Sequence, residues 1–193
     1  MLENTETDWL WIQDDDIQLN LVSIPLLLKE LNSSTKDLHF VKIGSLENSD
    51  LMYKNYSFHN NSLKLNALKI SSIEILLRPK VVKKLGVKFD PKLGLGTDMP
   101  SCEENKFIYD LFSLGATYNF SKLVTCFHTT AEVNRTIDYE ARYIAKGYFL
   151  KKSIPLHLGF LLSIKWIFYS KNKVSMLRRF RAIIKGISSA KTS

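Results

Sequence analysis

The sequence predicts an α/β domain followed by a basic, helical C-terminal tail. Short runs rich in β-branched and large apolar residues alternate with segments whose apolar residues recur at helical spacing, as in α/β proteins. Charge also divides the chain, because residues 1–140 carry 15 basic and 19 acidic side chains, whereas residues 141–193 carry twelve basic and no acidic ones. We expect the domain at residues 1–152 and the tail at residues 153–193.

The composition narrows the class of protein. The 193 residues, 45% hydrophobic and 24% charged, suffice for one globular core. Residues 1–8 are too acidic and polar for a signal or transit peptide. Cys102 and Cys126 lack the spacing of a disulfide framework or a zinc site. We therefore expect a cytosolic location. The net charge of +8 comes from the tail. Basic charge confined to one end of a chain indicates an attached surface-binding element, and we expect no nucleic-acid partner.

In the first half of the chain, apolar patterning and turn residues predict two strands, one helix, a polar loop and a β-rich run. Pro25 fits the first turn of the helix, where its missing N–H has no partner to lose. In chain order the elements are a strand at 9–12, a helix at 21–31, a strand at 39–43, a surface loop or hairpin at 45–62 and a β-rich run at 68–77.

In the second half, proline and glycine mark the ends of helices. Pro79 starts a short helix that Gly86 closes, which is the usual asymmetry between helix starts and ends. Ser101 is predicted to cap a further helix that Gly115 ends. The remaining predicted elements are a glycine-bearing loop at 89–96, strands at 117–120 and 123–127, and a helix at about 134–151.

Three consecutive aspartates, Asp14, Asp15 and Asp16, directly follow the first predicted strand. Carboxylates clustered at the end of a strand suit a hard divalent cation that bridges phosphate oxygens. A solvated acidic turn or a helix N-cap would show the same pattern. The pattern argues against an EF-hand calcium loop, because residues 18–21 supply none of its spaced ligands, its central glycine or its terminal glutamate.

Two glutamates, Glu103 and Glu104, lie at the start of the helix that follows the glycine-bearing loop. The helix dipole favours negative charge there, and a carboxylate held near a cation can take a proton from an incoming hydroxyl. The alternative is structural, because Ser101 and Glu104 have the spacing of a capping box.

His128 ends a predicted strand and is either a metal ligand or a solvated residue at the strand end. A cysteine hydrolase using Cys102 and His128 is a further possibility, but neither a glycine elbow nor an orienting acid stands at a recognisable spacing.

Together these residues resemble the bacterial family 2 glycosyltransferases of the GT-A fold, from about Thr7 to Lys152. The matching segments are the strand with its aspartates, residues 66–74, residues 89–105 with Gly94-Leu95-Gly96, and residues 126–128. The resemblance implies a GT-A-like mixed sheet flanked by helices. It also implies a fold incomplete at the N-terminus, because family members place several strand–helix units before the aspartate motif and only thirteen residues precede it here. Position 102 is commonly glycine in the family, and we expect Cys102 to be tolerated there as a small residue.

The resemblance also implies the chemistry. Asp14, Asp16 and His128 would bind Mn²⁺ or Mg²⁺, and Asp14 and Asp15 would contact the nucleotide-sugar. Glu104 would be the catalytic base of a direct, inverting displacement, and Glu103 would orient the acceptor. The expected protein is a hexosyltransferase-type enzyme of surface polysaccharide assembly, acting on a lipid-linked saccharide at the cytoplasmic membrane face. The alternative is an inactive truncated remnant that binds a membrane or a partner protein.

The tail combines an apolar segment with an amphipathic one. Residues 155–169 are strongly apolar but shorter than the ~20 residues that span a bilayer, and they include Lys165. In residues 174–187 one helical face is apolar and the others are basic, with Met176, Leu177, Phe180, Ile183, Ile184 and Ile187 set against Arg178, Arg179, Arg181 and Lys185. This pattern is typical of a helix on an anionic membrane surface, and it also fits a helical hairpin packed on the domain.

Overall fold

The computed structural model describes residues 5–56, 63–129, 138–169 and 174–190. The chain divides into two compact units. The first contains Met1–Lys88 and Ile108–Asn134, and the second contains Phe89–Phe107 and Arg135–Ser193. The predicted division at residue 152 lies inside the second unit and stays a prediction.

A five-stranded mixed sheet forms the centre of the first unit, which confirms the predicted α/β class. Its strands lie in the order β1-β4-β3-β5-β2. Only the β3–β5 pair is parallel among the pairs described, and the other three pairs are antiparallel. The strands are β1 (Leu10–Trp11), β2 (Gln18–Leu19), β3 (Leu38–Ser45), β4 (Ile75–Leu77) and β5 (Tyr118–His128).

Apolar side chains cover both faces of the central strands. Helix α1 (Ile24–Ser33) places Leu27 and Leu31 against Val41 and Leu76 of the sheet. Elsewhere in the unit, Ile43 of β3 packs with buried side chains from β5 and the chain before β4. Strand β3 is buried along almost its whole length, including its polar residues His39 and Ser45. The other helices assigned to this unit are the short α2 (Leu63–Asn66) and α3 (Pro79–Leu85).

Two strand predictions differ from the structure. Of the β-rich run at 68–77, only Ile75–Leu77 is a strand, and the preceding residues form two short 3-10 turns. Side-chain bonds explain the second turn, because the buried Glu74 carboxylate accepts from the Ser71 N–H at 2.6 Å and from Lys54 Nζ at 2.5 Å. The strands predicted at 117–120 and 123–127 are instead one continuous strand, β5.

Helices dominate the second unit. They are α5 (Tyr139–Ser153), α6 (Leu156–Phe168) and α7 (Met176–Ser189), together with the first residues of α4 (Glu103–Ser113), whose remainder belongs to the first unit. Asp138 caps α5 by accepting from the Ala141 N–H at 2.9 Å, and the earlier start predicted at 134 falls outside the described residues. Within the part of the chain that is described, every helix is too short or too polar to cross a bilayer.

Glycines allow α5 and α7 to approach at backbone distance. A Cβ built on Gly147 of α5 would lie 2.1 Å from the carbonyl oxygen of Ile183 in α7. A Cβ built on Gly186 of α7 would lie 2.0 Å from the carbonyl oxygen of Ile144 in α5. Real Cβ atoms do not come so close to backbone atoms, so these two positions require glycine for packing rather than for a special dihedral angle.

We predict that Gly147→Ala destabilises the protein, although alanine is the better helix former by about 1 kcal/mol. The clash with a backbone carbonyl cannot be relieved by a rotamer change, and overpacking of this kind costs roughly 1–3 kcal/mol. Urea unfolding followed by far-UV circular dichroism measures the change.

Gly159→Ala in α6 is the matched control, because the nearest atoms to its built Cβ are at 3.8 and 3.9 Å. It should keep the helix-propensity gain and leave stability unchanged or higher. Equal stabilisation by both substitutions would contradict the backbone contact between α5 and α7.

Candidate functional site

The aspartate triplet lies between β1 and β2, with Asp15 and Asp16 in a turn. Strand β2 then pairs antiparallel with the end of β5, so that Gln18 is opposite Phe127. This pairing brings Asp16, two residues before β2, beside His128, the last residue of β5. The predicted strand end with its carboxylates is therefore adjacent to the predicted histidine in the first unit.

Asp14, Asp16 and His128 form a group in which one ligand atom from each residue lies within 4.8 Å of the others. In this group Asp16 Oδ1 and His128 Nε2 are 3.3 Å apart. The Asp16 side chain is 41% exposed and that of His128 is 16% exposed, so the group is open to solvent on the aspartate side. Asp15 is exposed and lies outside the group.

A backbone contact sets the tautomer of His128. Its Nδ1 lies 2.8 Å from the carbonyl oxygen of Thr129, and because a carbonyl only accepts, Nδ1 must carry a proton. In the neutral ring Nε2 then has a free lone pair, and this atom is the one that faces Asp16. Two acceptors at 3.3 Å are compatible only if a proton or a cation lies between them. Metal-ligating histidines are usually oriented in the same way, with one ring N–H bonded to a carbonyl and the other ring nitrogen facing the metal.

Tyr53 is a neighbour of the group that the sequence did not single out. Its ring meets the His128 ring edge-to-face with centroids 5.1 Å apart. Burial raises the pKa of Tyr53, and the negative charges of Asp14, Asp16 and Glu74 raise the pKa further. Tyr53 lies inside the region predicted as a polar loop, where no periodic signal marks one residue, so only the fold could reveal it.

Glu103 and Glu104 begin α4 in the second unit. One oxygen of each carboxylate, Oε2, is buried, and that of Glu103 has no hydrogen-bond partner among the described residues. The Glu103 side chain lies against Gly94, where a built Cβ would be 3.4 Å from its Cγ and Cδ. Gly94 has φ +109°, which only glycine adopts readily. The loop therefore needs glycine for this backbone conformation and for the space that the Glu103 side chain occupies beside it.

The predicted capping box between Ser101 and Glu104 is wrong. The Lys106 N–H donates to the Cys102 carbonyl at 2.9 Å, which makes Cys102 the N-cap residue. The Ser101 N–H, which a capping box would pair with Glu104, donates instead to the Met99 carbonyl at 2.8 Å. Ser101 therefore does not occupy the N-cap position that the capping-box alternative gave it.

Cys102 occupies a backbone conformation that explains why glycine is common at this position in the family it resembles. Its φ is +71°, and among the described residues it is the one non-glycine residue with positive φ. The requirement is thus conformational, and small size alone does not meet it. Burial raises the pKa of the Cys102 thiol to about 12, so it is protonated at neutral pH and unsuited to the cysteine hydrolase alternative.

We predict that Cys102→Gly is more stable than Cys102→Ala by about 1 kcal/mol, because alanine keeps the strained Cβ in the left-handed region and glycine does not. Both variants lose the thiol, so the difference between their free energies of unfolding isolates the strain of the backbone conformation. Urea midpoints at a common m-value measure it. An alanine variant as stable as the glycine variant would contradict the strain at this residue.

Comparison with known proteins places the fold. No protein-family model and no curated protein sequence matches the chain. Among solved structures, TarS 1–349 of S. aureus in complex with UDP-GlcNAc matches with a TM-score of 0.60 and 14% identity, over 96% of this chain and 59% of that one. TarS 1–349 without that ligand matches with a TM-score of 0.51 and 11% identity, over 100% of this chain and 50% of that one.

The chain therefore spans about half the length of the TarS 1–349 chains that it matches. TarS is a family 2 glycosyltransferase, although the identity of 11–14% carries a likeness of fold alone. The structure has the predicted GT-A-like fold in partial form, with a mixed sheet flanked by helices.

Proposed function

We propose that this chain is part of a glycosyltransferase that moves a sugar from a nucleotide-sugar to a saccharide acceptor. The observation that supports this most directly is the convergence of Asp14, Asp16 and His128, with Nε2 of the histidine turned towards the carboxylate. The TarS complexes with UDP-GlcNAc and UDP, which share the fold, agree with a nucleotide-sugar as the donor.

The three ligands fit Mn²⁺ or Mg²⁺. Carboxylate oxygens suit both ions, and an imidazole nitrogen is better tolerated by Mn²⁺ than by Mg²⁺. When bound, such an ion would neutralise the charge of the donor diphosphate and so make it a better leaving group. Asp15, which is exposed beside these ligands, is the residue that we assign to the sugar or nucleotide.

We assign the role of catalytic base to Glu104 and the orientation of the acceptor to Glu103. The acceptor hydroxyl would lose its proton to the Glu104 carboxylate while its oxygen bonds to the anomeric carbon. The bond from that carbon to the diphosphate oxygen breaks on the opposite side, so the anomeric configuration inverts. We place the reaction in surface polysaccharide assembly with a lipid-linked saccharide as acceptor.

A second candidate function is a non-catalytic binding module. It is favoured by the exposed apolar and basic side chains of α6 and α7, such as Phe160 and Arg178. If the full chain releases no UDP from UDP-GlcNAc with Mn²⁺, and UDP with Mn²⁺ does not raise its melting temperature, this second candidate is the better one.

For the metal site, we predict that Asp16→Asn lowers Mn²⁺ affinity by about tenfold or more, because it removes one anionic ligand of three. Electron paramagnetic resonance of free Mn²⁺ during titration measures the affinity. Asp15→Asn is the matched control, with the same charge change one residue away, and should leave affinity nearly unchanged. Equal affinity in both variants and the unaltered protein would remove the metal assignment.

For the base, we predict that Glu104→Gln lowers the transfer rate by roughly 10²–10⁴-fold, because the amide cannot accept the proton. Release of UDP in the presence of acceptor measures the rate, and Mn²⁺ titration serves as the binding control. Glu103→Gln should act mainly on the KM of the acceptor. If Glu104→Gln instead lost Mn²⁺ binding and thermal stability together, a structural role at the start of α4 would replace the catalytic one.

A further inference from the structure

The helices of the second unit form an apolar groove. Its cavity volume is about 610 Å³, within the range of small-molecule and lipid-chain sites. The lining comes mainly from α6 and α7, including Phe160 and Ile164 of α6 and Leu177, Phe180 and Ile184 of α7.

The groove residues are open to solvent. Phe160 is 65% exposed, Leu177 is 56% exposed and Phe180 is 50% exposed, although each is a large apolar side chain. Phe168, also in the groove, is 59% exposed, and beyond the groove Leu161 of α6 is 60% exposed. Contiguous apolar exposure on this scale marks a surface that binds something.

This open face belongs to a helix that is already anchored. The opposite side of α7 packs on α5 through Gly186 and its buried neighbours Ala182 and Ile183. The buried Arg179 donates from Nη1 to the Ile167 carbonyl of α6 at 2.8 Å, which ties α7 to α6. The helical-hairpin packing expected as one alternative therefore accounts for one face of α7 and leaves the other face open.

The charge of the helices that form the groove favours an anionic partner, and Lys151 itself lines the groove. Arg178, Arg181 and Lys185 of α7 are exposed, as are Lys151 of α5 and Lys165 of α6. The sequence contains no acidic residue after Glu140 that could neutralise them. An apolar surface beside cations matches a bilayer, which presents anionic headgroups immediately above an acyl layer. Because α6 and α7 have 13 and 14 residues, they suit the plane of an interface rather than a span across it.

We propose that the open face of α6 and α7 docks on an anionic phospholipid bilayer. The apolar residues of the groove enter the acyl region, and the basic residues contact the headgroups. The groove itself accommodates lipid acyl chains. This docking depends on the α6–α7 surface alone and stands apart from the transfer reaction, so either can fail without the other.

Co-sedimentation of the full chain with vesicles tests the docking. We expect binding to vesicles of phosphatidylcholine with phosphatidylglycerol, and much weaker binding to phosphatidylcholine alone. The double substitution Phe160→Asp with Leu177→Asp should weaken binding by about tenfold or more, because both apolar side chains leave the acyl region.

Leu21→Asp with Leu114→Asp is the matched control, because it adds the same charge at residues of the first unit that are 74% and 55% exposed. It should bind as the unaltered chain does. Arg178→Gln with Arg181→Gln should reduce the preference for phosphatidylglycerol and leave the weak binding to phosphatidylcholine.

Three outcomes would overturn the proposal. The unaltered chain could fail to sediment with phosphatidylglycerol vesicles, or the control pair could weaken binding as much as the groove pair. The chain could also be a dimer in solution that the groove pair makes monomeric, which would assign the groove to a second copy. Mn²⁺ titration of the groove pair should match the unaltered chain, which separates this test from that of the transferase.

Discussion

The candidate metal site depends on the two pairings of strand β5. On one side β5 runs parallel to β3 along most of its length, which places His128 opposite Ser45. On the other side β5 pairs antiparallel with the short strand β2 and thereby draws the aspartate turn to its end. If β5 were displaced by one residue, His128 would point to the opposite face of the sheet and leave the carboxylates. The register of one strand thus decides whether the two aspartates and the distant His128 form a site.

The second unit has a comparable constraint in the crossing of α5 and α7. Because glycines let the two backbones touch, the side of α7 that carries Gly186 is buried against α5. Phe180 of α7 is 50% exposed, so this large apolar side chain lies outside that packed side. The close contact of α7 with α5 and the open groove are therefore two consequences of the same helix packing. This packing holds the exposed apolar surface of α7 in a fixed position.

Sequence reasoning succeeded where structure is dictated locally. Pro79 and Gly86 bracket the helix α3 as predicted, and Gly86 has the positive φ of a helix C-cap. It failed where a polar side chain made an unforeseen bond. Glu74 bonds to Ser71 and Lys54, and residues 72–74 of the β-rich run form a 3-10 turn instead of a strand. The predicted cap of α4 failed for a different reason, because the backbone at Cys102 is left-handed and the residue type does not disclose this dihedral angle.

The residues of the candidate site could be recognised from the sequence, because carboxylates that follow a strand or begin a helix are typical of metal binding and acid–base chemistry. The fold class was readable too, since apolar period and turn residues are local properties of the chain. Only the tertiary structure decided that Asp14 and Asp16 meet His128, that Tyr53 stands beside them and that Nδ1 of the histidine bonds to Thr129. The meeting of the aspartates with His128 depends on strand pairing between residues far apart in sequence, and the free energy of that pairing comes from burial of the whole sheet rather than from any single segment.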